Sequence, residues 1–264
     1  MRSILIFTCL LLTTLLSAAK NTDTLHVQPQ DLNIKNLQTG NYSYIIFYKK
    51  TKESPASHIF LIKINVEQQL YHDRPAYVVK QEWDVDTVVH AAYSVFNAKT
   101  FATVLHNTFW KSLGYWSSYD FDAKKVEFKN VSAKGGIPDS VKSQSIADFN
   151  DSFKKYCLNW HADLLIYQML PYQDKRTFVI NYYDPGFGKA EEASYTVTGS
   201  DTLMGRDGEK IDCWVLNYND NQNPSVKRYE RFWIAKKTNE VLKEEDFSER
   251  GYRYKIKIGI SGDQ

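Results

Sequence analysis

Cysteine is scarce in this 264-residue chain, with Cys9, Cys157 and Cys213 the full set. So few thiols exclude a disulfide-stapled scaffold, and Cys9 lies inside an apolar leader. Charge of one sign is equally lacking: 33 basic and 31 acidic residues give a net +2, which leaves no electrostatic footprint for nucleic acid. No phosphate-cradling glycine loop, Gly-x-Ser-x-Gly elbow or dinucleotide fingerprint occurs. The six histidines are scattered. Only Cys157 and His161 stand at a helical spacing, too few ligands for a metal. Asp84 with Asp86, and Asp120 with Asp122, read as solvated strand faces rather than acid–base couples. No catalytic residue, cofactor or metal is expected. Beyond the leader no apolar run approaches the roughly 20 residues that span a bilayer.

The leader itself, "MRSILIFTCLLLTTLLSAA", has a basic start at Arg2, an apolar run from Ile4 to Leu16 and a small-residue end at Ser17-Ala18-Ala19. That is the layout of a cleavable secretory signal. Cleavage after Ala19 leaves 245 residues in the periplasm or secreted, not membrane-spanning. An exported address permits a bridge between Cys157 and Cys213; the alternative is two separate buried thiols.

Strand patterns dominate. In "HIFLIKINVE" residues Phe60, Ile62, Ile64 and Val66 fall on one face and Lys63 and Asn65 on the other. Three hairpins carry turns of similar chemistry: Asn97-Ala98-Lys99-Thr100, Asp122-Ala123-Lys124-Lys125 and Lys236-Lys237-Thr238-Asn239. In the third, Phe232 or Trp233 points inward and "KEED" stays in water. The last strand, "YRYKIKIGI", alternates Tyr252, Tyr254, Ile256 and Ile258 against Arg253, Lys255 and Lys257, with the basic face expected in solvent. One segment breaks the pattern. Phe149, Phe153, Tyr156 and Trp160 recur at helical spacing, Ser145 and Asp148 resemble a capping pair, and Pro171 ends the run. One amphipathic helix is expected over about 146–169.

The fold class is therefore mainly β (α+β): a large curled antiparallel sheet, an open half-barrel of about ten or more strands, since wide sheets curl. One amphipathic helix lies against its concave face. The sheet forms one domain over 20–264, with 20–82 an N-terminal extension or a separate lobe. A helix about 36 Å long covers only part of such a concavity. Aromatics make up 14% of the chain, and Trp110, Trp116, Trp160, Trp214 and Trp233 are the candidates to line what remains uncovered.

"ASYTVTGSDTL", "DGEKIDCWVLNYN" and "RFWIAKKTNEVLKEED" resemble the closing part of an exported bacterial family of unknown function, with Gly199, Gly208, Trp233 and Thr238 in corresponding places. "AYSVFNAKTFATVL", "YDFDAKKVEF" and "DFNDSFKKY" are similar to its paired hairpins and central helical piece. The likeness runs from about Val85 to Glu245. That family is similar in architecture to the periplasmic lipoprotein-carrier superfamily. The resemblance implies a half-barrel whose helix plugs the apolar side and which shelters acyl chains. The expectation is a non-catalytic cell-envelope protein holding a hydrophobic small molecule, a lipid or acylated peptide. The alternative is an envelope scaffold with a self-filled core and a protein-binding rim.

Overall fold

The computed structural model describes residues 23–131, 137–219 and 228–259. The leader and its cleavage point after Ala19 lie outside the described residues. The strands are β1 (Thr24–His26), β2 (Gly40–Lys49), β3 (Ser57–Tyr71), β4 (Arg74–Val85), β5 (Thr87–Asn97), β6 (Thr103–Trp110), β7 (Tyr115–Asp120) and β8 (Lys125–Asn130). After helix α1 (Asp139–Asp151) come β9 (Leu158–Asn159), α2 (Asp163–Ile166) and β10 (Thr177–Tyr183). The chain then runs through β11 (Glu191–Met204), β12 (Lys210–Asn219), β13 (Tyr229–Ala235), β14 (Val241–Ser248) and β15 (Gly251–Lys257).

All fifteen strands form one sheet, in the order β1-β10-β11-β12-β13-β14-β15-β2-β3-β4-β5-β6-β7-β8. β1 and β9 both pair parallel with β10, at its start and its end, and every other pairing is antiparallel. The last strand lies beside β2, so β15 joins the two halves of the sheet at its middle. The sheet curls, helped by register shifts such as that at Gly199, whose φ of +139° suits a bulge that a side chain would strain. Among the described residues no pairing joins β8 to β1, and the curl stays unclosed. The hairpin turns form as their sequences predict. Asn97 Oδ1 accepts from the N–H groups of Lys99 and Thr100 (2.8 and 3.1 Å), Asp120 Oδ1 from Ala123 N–H (2.8 Å), and Asn239 adopts φ +59°.

The single long helix is not there. α1 starts seven residues before position 146 and ends at Asp151, where the Ser152 hydroxyl donates to the Phe149 carbonyl (2.7 Å). Asn150, Asp151 and Ser152 are poor helix interiors because their side chains compete for the backbone. Ser145 and Asp148 sit inside α1, not at its start. From there to Pro171 the chain is a string of one-turn pieces. Asn159 Oδ1 caps the turn at 160–162 by accepting from His161 N–H (3.0 Å), and Asp163 begins α2.

These pieces occupy the bowl. β8 and β10 lie on opposite sides of the strand order, so the connection between them crosses the concave face. Leu164, Leu165, Ile166, Tyr167, Gln168, Met169 and Leu170 are all buried, against Tyr44, Ile46, Tyr195 and Phe232 of the sheet. Val27, Leu32 and Leu37 add the N-terminal segment to this core, with Asn33 N–H donating to the Met169 carbonyl (2.8 Å). The hollow expected from the sequence is thus filled at its centre by the crossover itself. Phe149 of α1 packs against Tyr119 and Phe121 on one side and clusters with Tyr183 on the other, bridging the gap between the sheet's margins.

Of the two alternatives for the thiols, the bridge is not formed: Cys157 and Cys213 are free. Cys213 belongs to a cluster on the outer face with Ile211, Trp233 and Leu242, whereas Cys157 packs beside Tyr119 and Phe149. Burial pushes both thiols up to about 11.

If the crossover is the core, Ile166→Ala costs about 2–5 kcal/mol, while Ile146→Ala on the exposed side of α1 costs under about 0.5 kcal/mol. Urea midpoints at unchanged m-value check this pair.

Candidate functional site

Residues paired across neighbouring antiparallel strands share a face, so the register sorts every side chain inward or outward. Phe232 is opposite Leu216 and Glu244 and points inward, its ring 4.7 Å from Tyr167. Trp233 points outward, donating from Nε1 to Asp201 (2.8 Å) beneath the Lys243 ammonium, 4.0 Å from its ring. The alternation of the last strand is as expected but its sense is reversed. Arg253, Lys255 and Lys257 face the bowl, and Lys255 is only 6% exposed. Nor does "KEED" stay in water: Glu244 is 2% exposed and Glu245 is buried on the outer face, accepting from the Tyr229 hydroxyl (2.8 Å). The reason is mutual. Basic residues on β15 and acids on β14 lie side by side, and each makes the other's burial tolerable.

The inward charges form a network. Arg253 donates to Glu244 (2.7 Å) and to Asp246, Lys255 pairs with Glu244, and Lys257 pairs with Glu240. Asp163, at the start of α2, and Glu230 on β13 share the same field. Burial, reinforced by Glu244, pushes Glu230 up to about 7 and Asp246 up to about 9. Burial also raises Asp163. For Arg253 burial works downward, but Glu244 and Asp246 outweigh it and hold the guanidinium charged.

This network floors an open cleft of about 660 Å³ at one end of the bowl. Tyr48, Trp160 and Tyr218 stand at its sides, Glu230, Asp246 and Arg253 lie at its base, and Arg228 and Arg250 edge it. Trp160 is 38% exposed and leans on Tyr182, ring centroids 5.3 Å apart.

The next residue turns the other way. His161 enters a buried group with His90 and His106, its ring centroid 5.1 and 4.7 Å from theirs. His90 Nδ1 donates to the Phe109 carbonyl (2.8 Å), His106 Nδ1 meets the Ser94 hydroxyl (2.8 Å), and His161 Nδ1 lies 3.1 Å from Asp184. Burial, then the charge of His161, lowers His90 to about 3 and His106 also, so both imidazoles are neutral. Among the described residues no three His, Cys, Asp or Glu side chains converge on a metal-holding point. Ser94 and His106 are both buried, and neither lines the mouth cleft.

The five candidate tryptophans do not gather. Trp110 stacks on His90 (3.8 Å) inside the bowl, and Trp116 stacks on Phe109 (5.2 Å) outside it. Trp214 faces Tyr172 at the inner margin, with the Lys236 ammonium 4.4 Å from its ring. Trp233 is on the outer face, and only Trp160 reaches the cleft. Sequence reasoning missed both polar groups. His90, His106 and His161 come from β5, β6 and the crossover, with no spacing to betray them.

The family described as "Protein of unknown function (DUF3108)" matches residues 57–257. The chain belongs to the DUF3108 family. The matched span takes in Trp160, His161 and the whole ionic floor, while Tyr48 precedes it. Solved structures similar to this DUF3108 chain include a beta-barrel-like DUF1849 protein from Brucella abortus, 7% identical over 84% of this chain and 98% of that one, with a TM-score of 0.35. A DUF1329 family protein from Desulfovibrio piger is 9% identical over 86% and 90%, with a TM-score of 0.28. No curated protein matches the DUF3108 chain. No helix among its described residues is long and apolar enough to cross a membrane.

Two pH effects of opposite sign follow. His90 is lowered in the fold, so its contribution is complete above about 6.5 and is lost as pH falls toward 3. The stability of the wild type relative to His90→Asn therefore rises from pH 3 to 6.5. Asp246 is raised, so its contribution is complete below about 4 and is lost as pH climbs through 9. The stability of the wild type relative to Asp246→Asn falls over that range. Denaturation midpoints at stepped pH read both differences; a flat difference for either refutes that assignment.

Proposed function

We propose that this chain is a non-catalytic cell-envelope protein that binds an amphipathic ligand at the mouth of its bowl. The observation carrying this reading is the cleft itself: Tyr48, Trp160 and Tyr218 offer apolar ring faces directly above the half-buried Glu230–Asp246–Arg253 floor. Ligand sites combine an apolar lining with a few placed polar groups, and this cleft does so while the centre of the bowl is filled. The secretory layout of the first 19 residues supports the envelope address. The acyl portion of a lipid or acylated peptide lies along the rings, with its polar end toward the floor.

A protein-binding rim is the second reading. Exposed Ile59, Val85, Val88, Leu113 and Phe187 stand near the turns at the same end of the sheet as the cleft. Such a fringe suits an envelope partner, and a stoichiometric protein retained through purification favours it.

Binding of a short-chain lysolipid, followed by tryptophan fluorescence and calorimetry, tests the first reading. Trp160→Ala weakens binding by about tenfold or more, since a buried aromatic contact is worth about 1–3 kcal/mol. Trp116→Ala, on the outer face, leaves it unchanged. Equal effects of the two substitutions contradict a mouth site.

A further inference from the structure

The floor of the mouth holds more carboxyls than cations. Asp163, Glu230, Glu244 and Asp246 share one field with Arg253 and Lys255. The neighbouring cations are engaged elsewhere: Lys257 on Glu240, and Lys52 and Lys243 on Glu245 at the outer face. Arg253 and Lys255 both turn to Glu244, which is held ionised although burial alone would raise it. Two cations thus face four carboxyls within the floor, Arg228 and Arg250 standing only at its edge, and burial raises Asp246 to about 9, so that it keeps a proton at neutral pH.

The hydrogen bonding is incomplete in the same place. Asp246 Oδ1 has no hydrogen-bond partner. Tyr182, 2% exposed beneath the Trp160 ring, has its hydroxyl beside that of Tyr167, in the field of Asp163 and Glu230. Above it, Tyr48, Trp160 and Tyr218 present the ring faces that attract an organic cation. Protons fill the deficit when the cleft holds water, and a ligand cation with several N–H donors fills it better.

Resting on the reading of the mouth as an amphiphile site, we propose that it selects ligands whose polar head carries an ammonium group. The ammonium docks between Glu230 and Asp246 beneath Trp160. Its charge replaces that of a carboxyl proton, which leaves to solvent, so the net charge of the site is conserved. Arg228 and Arg250 at the edge are placed for the phosphate of a zwitterionic head. A head with phosphate alone leaves the carboxyl floor unpaired. The ammonium source is distinguished by length, because a free amine without a chain gains nothing from the aromatic walls.

Calorimetry of the purified chain at pH 7.5 tests this with two short-chain phospholipids of equal acyl length, one with an ethanolamine head and one with a glycerol head, and with ethanolamine itself. The ethanolamine lipid binds about tenfold or more tightly than the glycerol lipid, a difference of about 1.4 kcal/mol. Free ethanolamine binds far more weakly than either. The heat of ethanolamine-lipid binding differs between buffers of different ionisation enthalpy, reporting about one proton released per ligand. Glu230→Gln abolishes most of the head-group preference. Equal affinity for the two lipids, or heat independent of the buffer, overturns the head-group inference while the mouth site stands. Failure of both lipids to bind overturns the mouth site as well. The buffer comparison uses the unaltered chain, so it remains decisive even where Glu230→Gln does not fold.

Discussion

One topological constraint governs the rest of the molecule: β8 and β10 sit on opposite sides of the strand order, and the chain must cross the bowl between them. A curled sheet of this width has an apolar inner face that has to be covered. The crossing supplies the cover. Leu164 to Leu170 fill the centre, and the N-terminal segment adds Val27, Leu32 and Leu37. The same crossing delivers Trp160 to the mouth, His161 to the histidine group and Asp163 to the ionic floor. Four consecutive residues therefore tie together both polar regions of an otherwise apolar interior.

The ionic floor is physically unusual. Removing charges from water costs several kcal/mol per ion, and attraction between neighbours offsets this only where geometry and hydrogen bonds are good. Glu244 meets that condition, held by both Arg253 and Lys255. Asp246 shares Arg253 with Glu244 and avoids the cost by keeping its proton at neutral pH, while burial raises Glu230 to about 7. His90 and His106 use the opposite device and stay neutral by losing protons. Both groups are thus held near electrical balance, but only the carboxyl floor opens to solvent, so only there can a solute change the balance directly.

Period-two patterning made most of the sheet legible. Ile62, Ile64 and Val66 on β3 are buried as their alternation requires, and Asn97, Asp120 and Asn239 mark turns by a local mechanism that needs no tertiary context. Hidden were the features set by partners distant in sequence. Alternation in "YRYKIKIGI" says that rings and charges part company, but not which side faces in. The acids of β14 beside them decide it, together with Asp163 from nearly a hundred residues earlier. The aromatic spacing from Phe149 to Trp160 mimicked one helix although the rings meet partners on separate elements. Phe149 packs against Tyr119, the Tyr156 hydroxyl donates to the Thr100 carbonyl (2.6 Å), and Trp160 leans on Tyr182. Trp160, one of five candidate tryptophans, is the one that lines the cleft; the floor beneath it was not legible.

The most direct test is to follow the indole N–H signals of Trp83, Trp110, Trp116, Trp160, Trp214 and Trp233 by nuclear magnetic resonance while a short-chain amphiphile is added. A filled bowl with a working mouth predicts a saturable shift of the Trp160 signal, with Trp110 and Trp214 left in place. Large shifts of Trp110 or Trp214, with Trp160 unmoved, would mean that the ligand enters the interior, and would contradict a core completed by the chain's own crossover.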